Sequence, residues 1–381
     1  MRVAYVCADP GVPVFGTKGS SIHVQEVLRQ LARRGVELTL WCARTGGKPA
    51  AGLEGVEVRC LPPRAGGLPA QREEQQRSAD LELGARLREG PLVDLVYERY
   101  SLWGTAGMRH ASLLGVPGLL EVNAPLVEEQ ARHRQLVDRD GALTRAGAVF
   151  RLARSVLCVS EPVASWVREV APGARTVVLP NGVDPARFTP GPEPAGPFTV
   201  GFVGTLKPWH GVDVLVRAVA LLDEVRLRVI GDGPEREALE RLAVRLLGAH
   251  RADFVGAVHP GQLPAELARL HVAAAPYPVA DTYFSPLKVF EYLAAGLPVV
   301  ASRSGQLSQV LTDGVDGLLT PAGDVVALAD AIAGLRSEPG LRVRLGRAAR
   351  QTAQRHTWEA VVDASLASAG LPLRPPAPVV V

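Results

Sequence analysis

The stretch ADTYFSPLKVFEYLAAGLPVVAS, residues 280–302, reads as a loop, a helix, a Gly-Leu-Pro turn and a short apolar strand. Ser285 is a favoured N-cap and Pro286 suits the first helical position, so the helix is expected to begin here. Lys288 then falls in the first turn, where unpaired backbone N–H groups already make the site positive. A cation is unfavourable there unless an anion lies between it and the amides. Glu291, three residues on, shares a helical stripe with Lys288. Two readings stay open. Either Lys288 and Glu291 form an exposed pair, or amides and Lys288 hold a phosphate while Glu291 binds a polar group beyond it.

Outward from this helix the same unit recurs. Short apolar runs alternate with helical patterns along the chain, which points to a parallel α/β architecture. VAYVCA, VELTLWCA, SVLCVS and TVVLP are near-continuous apolar runs, as expected of strands covered on both faces. Val24, Val27, Leu28 and Leu31 keep helical spacing, and Arg33-Arg34-Gly35 closes that helix with a basic turn and a glycine. Residues 189–198, TPGPEPAGPF, hold four prolines and little that could pack, so a linker is expected there. Beyond it the alternation restarts with FTVGFVG, a helix over 211–222, VRLRVIGDG, a helix over 234–247, and ADFVGAV. Two domains of similar size follow, 1–190 and 195–355, as a length of 381 residues suggests. The final PLRPPAPVVV reads as a frayed terminus.

Composition narrows the function classes. With 47% hydrophobic and 21% charged residues the chain reads as an ordinary soluble globular protein. A net charge of +3 is too small to indicate nucleic acid. No apolar run is long enough to span a bilayer, which leaves only peripheral membrane contact open. The opening MRVAYVCADP is expected to be a first strand, not a signal peptide. Cys7, Cys42, Cys60 and Cys158 show no CxxC spacing and lie in or beside apolar runs, so buried free thiols in a reducing cytoplasm are expected.

Three loops have the composition of ligand loops at strand ends. GVPVFGTKGSSIHVQE, after the first strand, offers Gly16 and Gly19 for close backbone approach, with Ser20 or Ser21 as cap of the next helix. FVGTLKPWHG, residues 202–211, supplies Gly204, Lys207, His210 and Gly211, flexible backbone plus cations. The third loop carries Lys288 and Glu291. Two cationic loops in one domain favour a shared diphosphate site.

FVGTLKPWHGVDVLVRA, VIGDGPEREALERLA, CVSEPVASWVRE, VVLPNGVDPARFTP and SPLKVFEYLAAGLPVVAS, five pieces in order and with sensible spacing, together resemble the retaining glycosyltransferases of family 4. That resemblance implies the GT-B fold, two Rossmann-like parallel α/β domains facing an interdomain cleft. It implies an acceptor-binding domain first, a nucleotide-sugar domain second, and a last helix over 356–372 crossing back to the first. The implied activity is transfer of a sugar, of hexosyl type, from a nucleotide-diphosphate donor to a small-molecule, lipid-linked or glycan acceptor.

The resemblance also assigns residues. It puts Gly19, Gly204, Thr205, His210, Gly231, Tyr283, Phe284, Ser285, Pro286, Leu287 and Glu291 at the donor. Glu291 matches the second acid of the family's paired-glutamate pattern, which binds ribose hydroxyls, whereas the first acid falls on Tyr283. Tyr283 offers a flat face toward the sugar or packs on Phe284 or Phe290. An arginine common in the phosphate loop falls on Thr205, and a lysine on His210, leaving Lys207 and Lys288 as the phosphate cations. Asn123, in GLLEVNAPLVEEQARHR, stands where family members often have a histidine near the donor sugar. An asparagine is no general base at neutral pH. In YERYSLWG, Glu98 and Arg99 either face the cleft or form a strand-end ion pair. No Asp-x-Asp pair or His/Cys cluster with metal spacing lies near these loops, so no metal and no cofactor beyond the sugar nucleotide is expected. An epimerase of the same fold and a non-catalytic nucleotide-sugar sensor remain alternatives.

Overall fold

Val3, Ala4, Tyr5, Val6 and Cys7 are almost wholly shielded from solvent, as a strand covered by helices on both faces requires. They belong to β1 (Arg2–Cys7), an interior strand of a seven-stranded sheet. The computed structural model describes residues 1–63, 66–280 and 282–371. They divide into two units, Met1–Pro180 with the chain from Trp358 onward, and Asn181–Thr357.

In the first unit β2 (Glu37–Cys42), β3 (Glu57–Cys60), β4 (Leu95–Arg99), β5 (Gly118–Val122), β6 (Ser155–Cys158) and β7 (Thr176–Val178) complete the sheet in the order β3-β2-β1-β4-β5-β6-β7. Every pairing is parallel. The crossover helices are α1 (Gly19–Arg33), α2 (Pro69–Glu89), α3 (Ala106–Leu114), α4 (Leu126–His133), α5 (Arg139–Leu152) and α6 (Glu161–Val170).

The second unit repeats the plan with β8 (Thr199–Val203), β9 (Arg226–Ile230), β10 (Ala252–Gly256), β11 (Val272–Ala275), β12 (Val299–Ser302) and β13 (Leu318–Thr320), ordered β10-β9-β8-β11-β12-β13. Its helices are α7 (Val212–Ala220), α8 (Arg236–Leu247), α9 (Leu263–Leu267), α10 (Leu287–Ala294), α11 (Leu307–Val310), α12 (Val325–Ser337) and α13 (Pro339–Arg355). In both sheets the strand order reverses beside the first strand, between β1 and β4 and between β8 and β11. Loops leaving the C-terminal ends of those strands are where an open α/β sheet binds ligands.

Three expectations are corrected here. The proline-rich stretch 189–198 lies inside the second unit, which starts at Asn181. The reason is packing: Val183 and Phe188 are buried in that unit's core with Phe290 and Leu293. Val183 N also donates to His356 O at 2.9 Å, so the chain is held to this unit before the prolines begin. Cys60 is exposed, because it ends β3 at the sheet edge, whereas Cys7, Cys42 and Cys158 are buried. The strand β7, read as covered on both faces, is only half-buried, being the opposite edge.

The final helix, α14 (Trp358–Ser368), packs with the first unit. Trp358 meets His23 of α1 edge-on at 4.8 Å, and Arg34 NH2 pairs with Asp363 at 2.6 Å. Residue 372 and the rest of PLRPPAPVVV lie outside the described residues.

Candidate functional site

At the β8/β11 reversal two loops are packed backbone against backbone. Gly204 N donates to Ile230 O at 2.9 Å and Leu206 N to Asp232 O at 2.9 Å. Gly231, at φ +139°, could carry no side chain, since a Cβ would lie 2.0 Å from Gly204 O. The loop after β8 and the turn after β9 are thereby locked together beside the start of α10.

That helix does not begin as its sequence suggests. Pro286 is the N-cap and Leu287 the first helical residue, so Ser285 caps nothing. Ser285 is engaged elsewhere: its Oγ accepts from Asn181 N at 3.0 Å and its carbonyl from Asn181 Nδ2 at 2.7 Å. Lys288 still falls in the first turn, and its ammonium is buried. The residue is 8% exposed, and Nζ lies 3.9 Å from the centre of the Phe202 ring and 5.6 Å from that of Tyr277. It has no hydrogen-bond partner among the described residues. Burial pulls its pKa down to about 7, with the charge of Glu291 partly opposing the fall. Of the two readings of this stretch, the exposed ion pair is excluded. A buried lysine side chain rises from the first turn of the helix against Phe202 and Tyr277, with no hydrogen-bonded partner among the described residues.

The residues around it form an aromatic and polar wall. His210 Nδ1 bonds the Thr205 carbonyl, and the ring sits 6.0 Å from both Phe202 and Tyr277. Burial, then the charges of Lys288 and Lys207, push the imidazole pKa down to about 3. The expectation of His210 as a cation is therefore overturned: it is neutral, and with Nδ1–H donating to a carbonyl its Nε2 is an acceptor. Lys207 Nζ stands 5.6 Å from the Trp209 ring. Tyr283 is half-buried and meets Phe284 edge-on at 6.0 Å, and Phe284 packs on Tyr277 at 4.9 Å. Phe290, the other neighbour expected for Tyr283, packs instead on His356 at 5.3 Å. Gly204, Thr205, Lys207, His210, Gly231, Tyr283, Phe284, Pro286, Leu287, Lys288 and Glu291 thus belong to one unit.

Gly19 and Asn123 belong to the other. Gly19 opens α1, with Lys18 as an N-cap lacking a side-chain bond. Ser20 and Ser21, expected as caps, sit inside the first turn, and Ser21 Oγ is buried without a partner among the described residues. Asn123 follows β5, where its Nδ2 donates to Glu121 Oε1. Glu121 is 3% exposed and also accepts from Arg99 NH1 at 2.8 Å and Tyr97 OH at 3.1 Å, while His23 Nε2 lies 2.7 Å from its Oε2. Burial alone would raise this carboxyl, but His23, Arg99 and Asn123 outweigh it and hold the pKa at about 2.

Arg99 does not pair with Glu98, because neighbours on a strand point to opposite faces. Glu98 instead accepts from Met108 N at 2.9 Å at the start of α3. Burial and the nearby Asp80 push its pKa up to about 8. The sequence reading missed His23, Tyr97 and Glu121. The available signal was Glu121 itself, a carboxylate inside the apolar run GLLEV.

Among the described residues no three His, Cys, Asp or Glu side chains are grouped as metal ligands, and no helix is long and apolar enough to cross a membrane.

A family model described as "Glycosyltransferase Family 4" matches residues 17–187, and one described as "Glycosyl transferases group 1" matches residues 197–338. A D-inositol 3-phosphate glycosyltransferase of Saccharomonospora viridis is 31% identical over 397 residues, covering 94% of this chain and 90% of that protein. Its counterpart in Kribbella flavida is 29% identical over 408 residues, covering 94% and 92%. Among solved structures, sucrose-phosphate synthase from Thermosynechococcus elongatus superposes with a TM-score of 0.77 at 23% identity over 96% of this chain and 97% of that one. Anabaena Alr3699/HepE, solved in complex with UDP-glucose, gives 0.73 at 18% identity over 97% and 99%. These likenesses carry the fold, which is GT-B.

Proposed function

The chain belongs to the family 4, group 1 glycosyltransferases, and on that premise we propose that it transfers a hexosyl group from a nucleotide-diphosphate sugar to an acceptor hydroxyl, with retention and without a metal ion. The observation that supports this reading best is Lys288. A buried ammonium carried by the first turn of α10, packed on Phe202 and without a hydrogen-bond partner among the described residues, is a costly arrangement for the free protein. A diphosphate would satisfy both the amides and the ammonium.

Breaking the anomeric C–O bond passes through an oxocarbenium-like transition state while negative charge grows on the departing diphosphate. Fixed positive groups aimed at that charge are the main catalytic device, and Lys288 with Lys207 supplies them. Glu291 accepts hydrogen bonds from the ribose hydroxyls. Tyr283 and Phe284 line the same wall, and neutral His210 offers an acceptor in place of a charge. In the first unit, which we assign to the acceptor side of the reaction, Asn123 binds a hydroxyl without acting as a base. The leaving phosphate itself then takes the acceptor's proton.

The donor carries UDP in the solved relative named above, so the first screen uses UDP-, GDP- and ADP-linked hexoses. The relatives' names make polyol phosphates the first acceptors to try. Each donor is incubated alone and followed by thermal shift and by product analysis. Tight binding raises the unfolding temperature by mass action, and slow hydrolysis indicates a transferase. Conversion to an epimer would replace this reading with an epimerase. Binding with no turnover, with or without acceptor, would leave a nucleotide-sugar sensor.

A further inference from the structure

Three hydrogen-bond donors and the His23 imidazole converge on the carboxylate of Glu121. Asn123 Nδ2 and Arg99 NH1 reach Oε1, and Tyr97 OH and His23 Nε2 reach Oε2. An ionised carboxylate accepts hydrogen bonds and donates none. Both oxygens accept from donors and Arg99 faces Oε1 at 2.8 Å, which outweighs the burial and keeps the group ionised across the working pH range.

An asparagine amide has two faces that are nearly equal in shape and opposite in hydrogen-bonding character. Beside an acceptor-only neighbour only one of them fits. We propose that Glu121 is a positioning residue: it holds the Asn123 amide by its nitrogen, so that the carbonyl oxygen is the atom offered to a substrate hydroxyl. Glu121 touches no substrate itself. It acts through Asn123, which is half-buried just after β5, while Glu121 is buried on the face of β5 that meets His23 of α1. Arg99, Tyr97 and His23 in turn hold Glu121 in one rotamer from β4 and α1. The proposal rests on the glycosyl-transfer reading for the identity of the substrate, though not for the orientation of the amide.

Asn123 and Asn181 are the two asparagines of the whole chain, which makes the orientation directly measurable. Labelling the side-chain nitrogen of asparagine gives two NH2 pairs, and Asn123→Ala removes one and so assigns both. Asn181, bonded to the Ser285 carbonyl, serves as the internal reference. The Asn123 pair is expected to show one strongly downfield, slowly exchanging proton in the unmodified protein. Two Asn123 protons that exchange as fast as a free amide would overturn the proposal.

A charge swap supplies the kinetic arm, read on whichever of the UDP-, GDP- or ADP-hexoses is hydrolysed. Glu121→Gln keeps an acceptor toward Asn123, because Tyr97 and His23 can turn to accept, so kcat falls less than about tenfold. Asn123→Asp sets two carboxylates face to face and should lower kcat by a hundredfold or more. Adding Glu121→Gln to Asn123→Asp should then recover at least tenfold, since the second carboxylate, and with it the repulsion, is gone and an oxygen is again presented outward. Simple multiplication of the two single losses would overturn the coupling. Absence of hydrolysis by the unmodified protein, with the downfield proton present, would count against the glycosyl-transfer reading and leave the Glu121–Asn123 orientation standing.

Discussion

The Lys288 ammonium occupies the space that a side chain on residue 204 would need: Nζ lies 2.8 Å from the position of a Cβ built on Gly204. Gly204 also has φ +142°, a conformation that side chains rarely adopt. Gly204→Ala should therefore displace the cation and strain the loop together. A loss of about 1–3 kcal/mol in stability is expected. We further expect roughly a hundredfold fall in kcat/KM for donor hydrolysis, comparable with losing one fixed charge at the diphosphate. Full kcat/KM in this variant would remove Lys288 from the donor site.

Lys288 should cost the free protein stability. Its folded pKa of about 7 lies below its ordinary 10.5 because of burial. Between those values the unfolded chain holds a proton that the folded protein has released, so stability rises with pH from about 7 to 10.5 and is lowest, for this group, below 7. Lys288→Met keeps the packing against Phe202 and removes that cost. The variant is expected to be more stable than the parent by about 3 kcal/mol at pH 6, with the gap shrinking by pH 10. Urea unfolding at both pH values measures it. Equal or lower stability at pH 6 would show the ammonium to be well solvated.

Glu98 predicts a slope of the opposite sign. Its folded pKa of about 8 exceeds the ordinary 4.5, so between these values the folded protein keeps a proton the unfolded chain has lost. Stability falls as pH rises through that window. Glu98→Gln can still accept from Met108 N and should flatten the slope, gaining on the parent as pH goes from 5 to 8.5. Melting temperatures at the two pH values test this, and a constant difference would mean that Glu98 is ionised in the folded state.

Glu291 is tested by pairing a variant with a trimmed ligand. Glu291→Ala should mainly raise the donor KM, and a 2′-deoxyribose donor should lose affinity for the unmodified enzyme. If the carboxylate bonds that hydroxyl, the two losses overlap and the variant hardly distinguishes the donors. Losses that add in full would place Glu291 away from the 2′ position.

If Lys288 and Lys207 supply the positive charge at the diphosphate, as proposed, turnover should survive excess EDTA and change little on adding magnesium. Loss of activity on chelation, restored by metal, would overturn the metal-free mechanism.

The periodicity of the chain determined most of the architecture. Runs such as VAYVCA and PVVAS put apolar side chains on both faces of a strand, which suits a sheet covered by helices, and helical patterns between them leave parallel strands as the outcome. Lys288 was also legible, because a lysine in a first helical turn is a local anomaly that needs no knowledge of what packs on it.

What surrounds such residues is non-local, and only the tertiary structure decided it. Ser285 has the local chemistry of an N-cap, yet Asn181, 104 positions earlier, takes its hydroxyl. The loop cation expected at His210 is a neutral acceptor because Phe202, Tyr277 and Lys288 close around it from three other segments. The prolines of 189–198 mark no boundary, because Val183 and Phe188 find a core before the linker starts. His23, Tyr97 and Arg99 meet at Glu121 only once α1, β4 and β5 are side by side. Hydrophobic periodicity is a property of neighbours in the chain, whereas desolvation and charge pairing depend on neighbours in space.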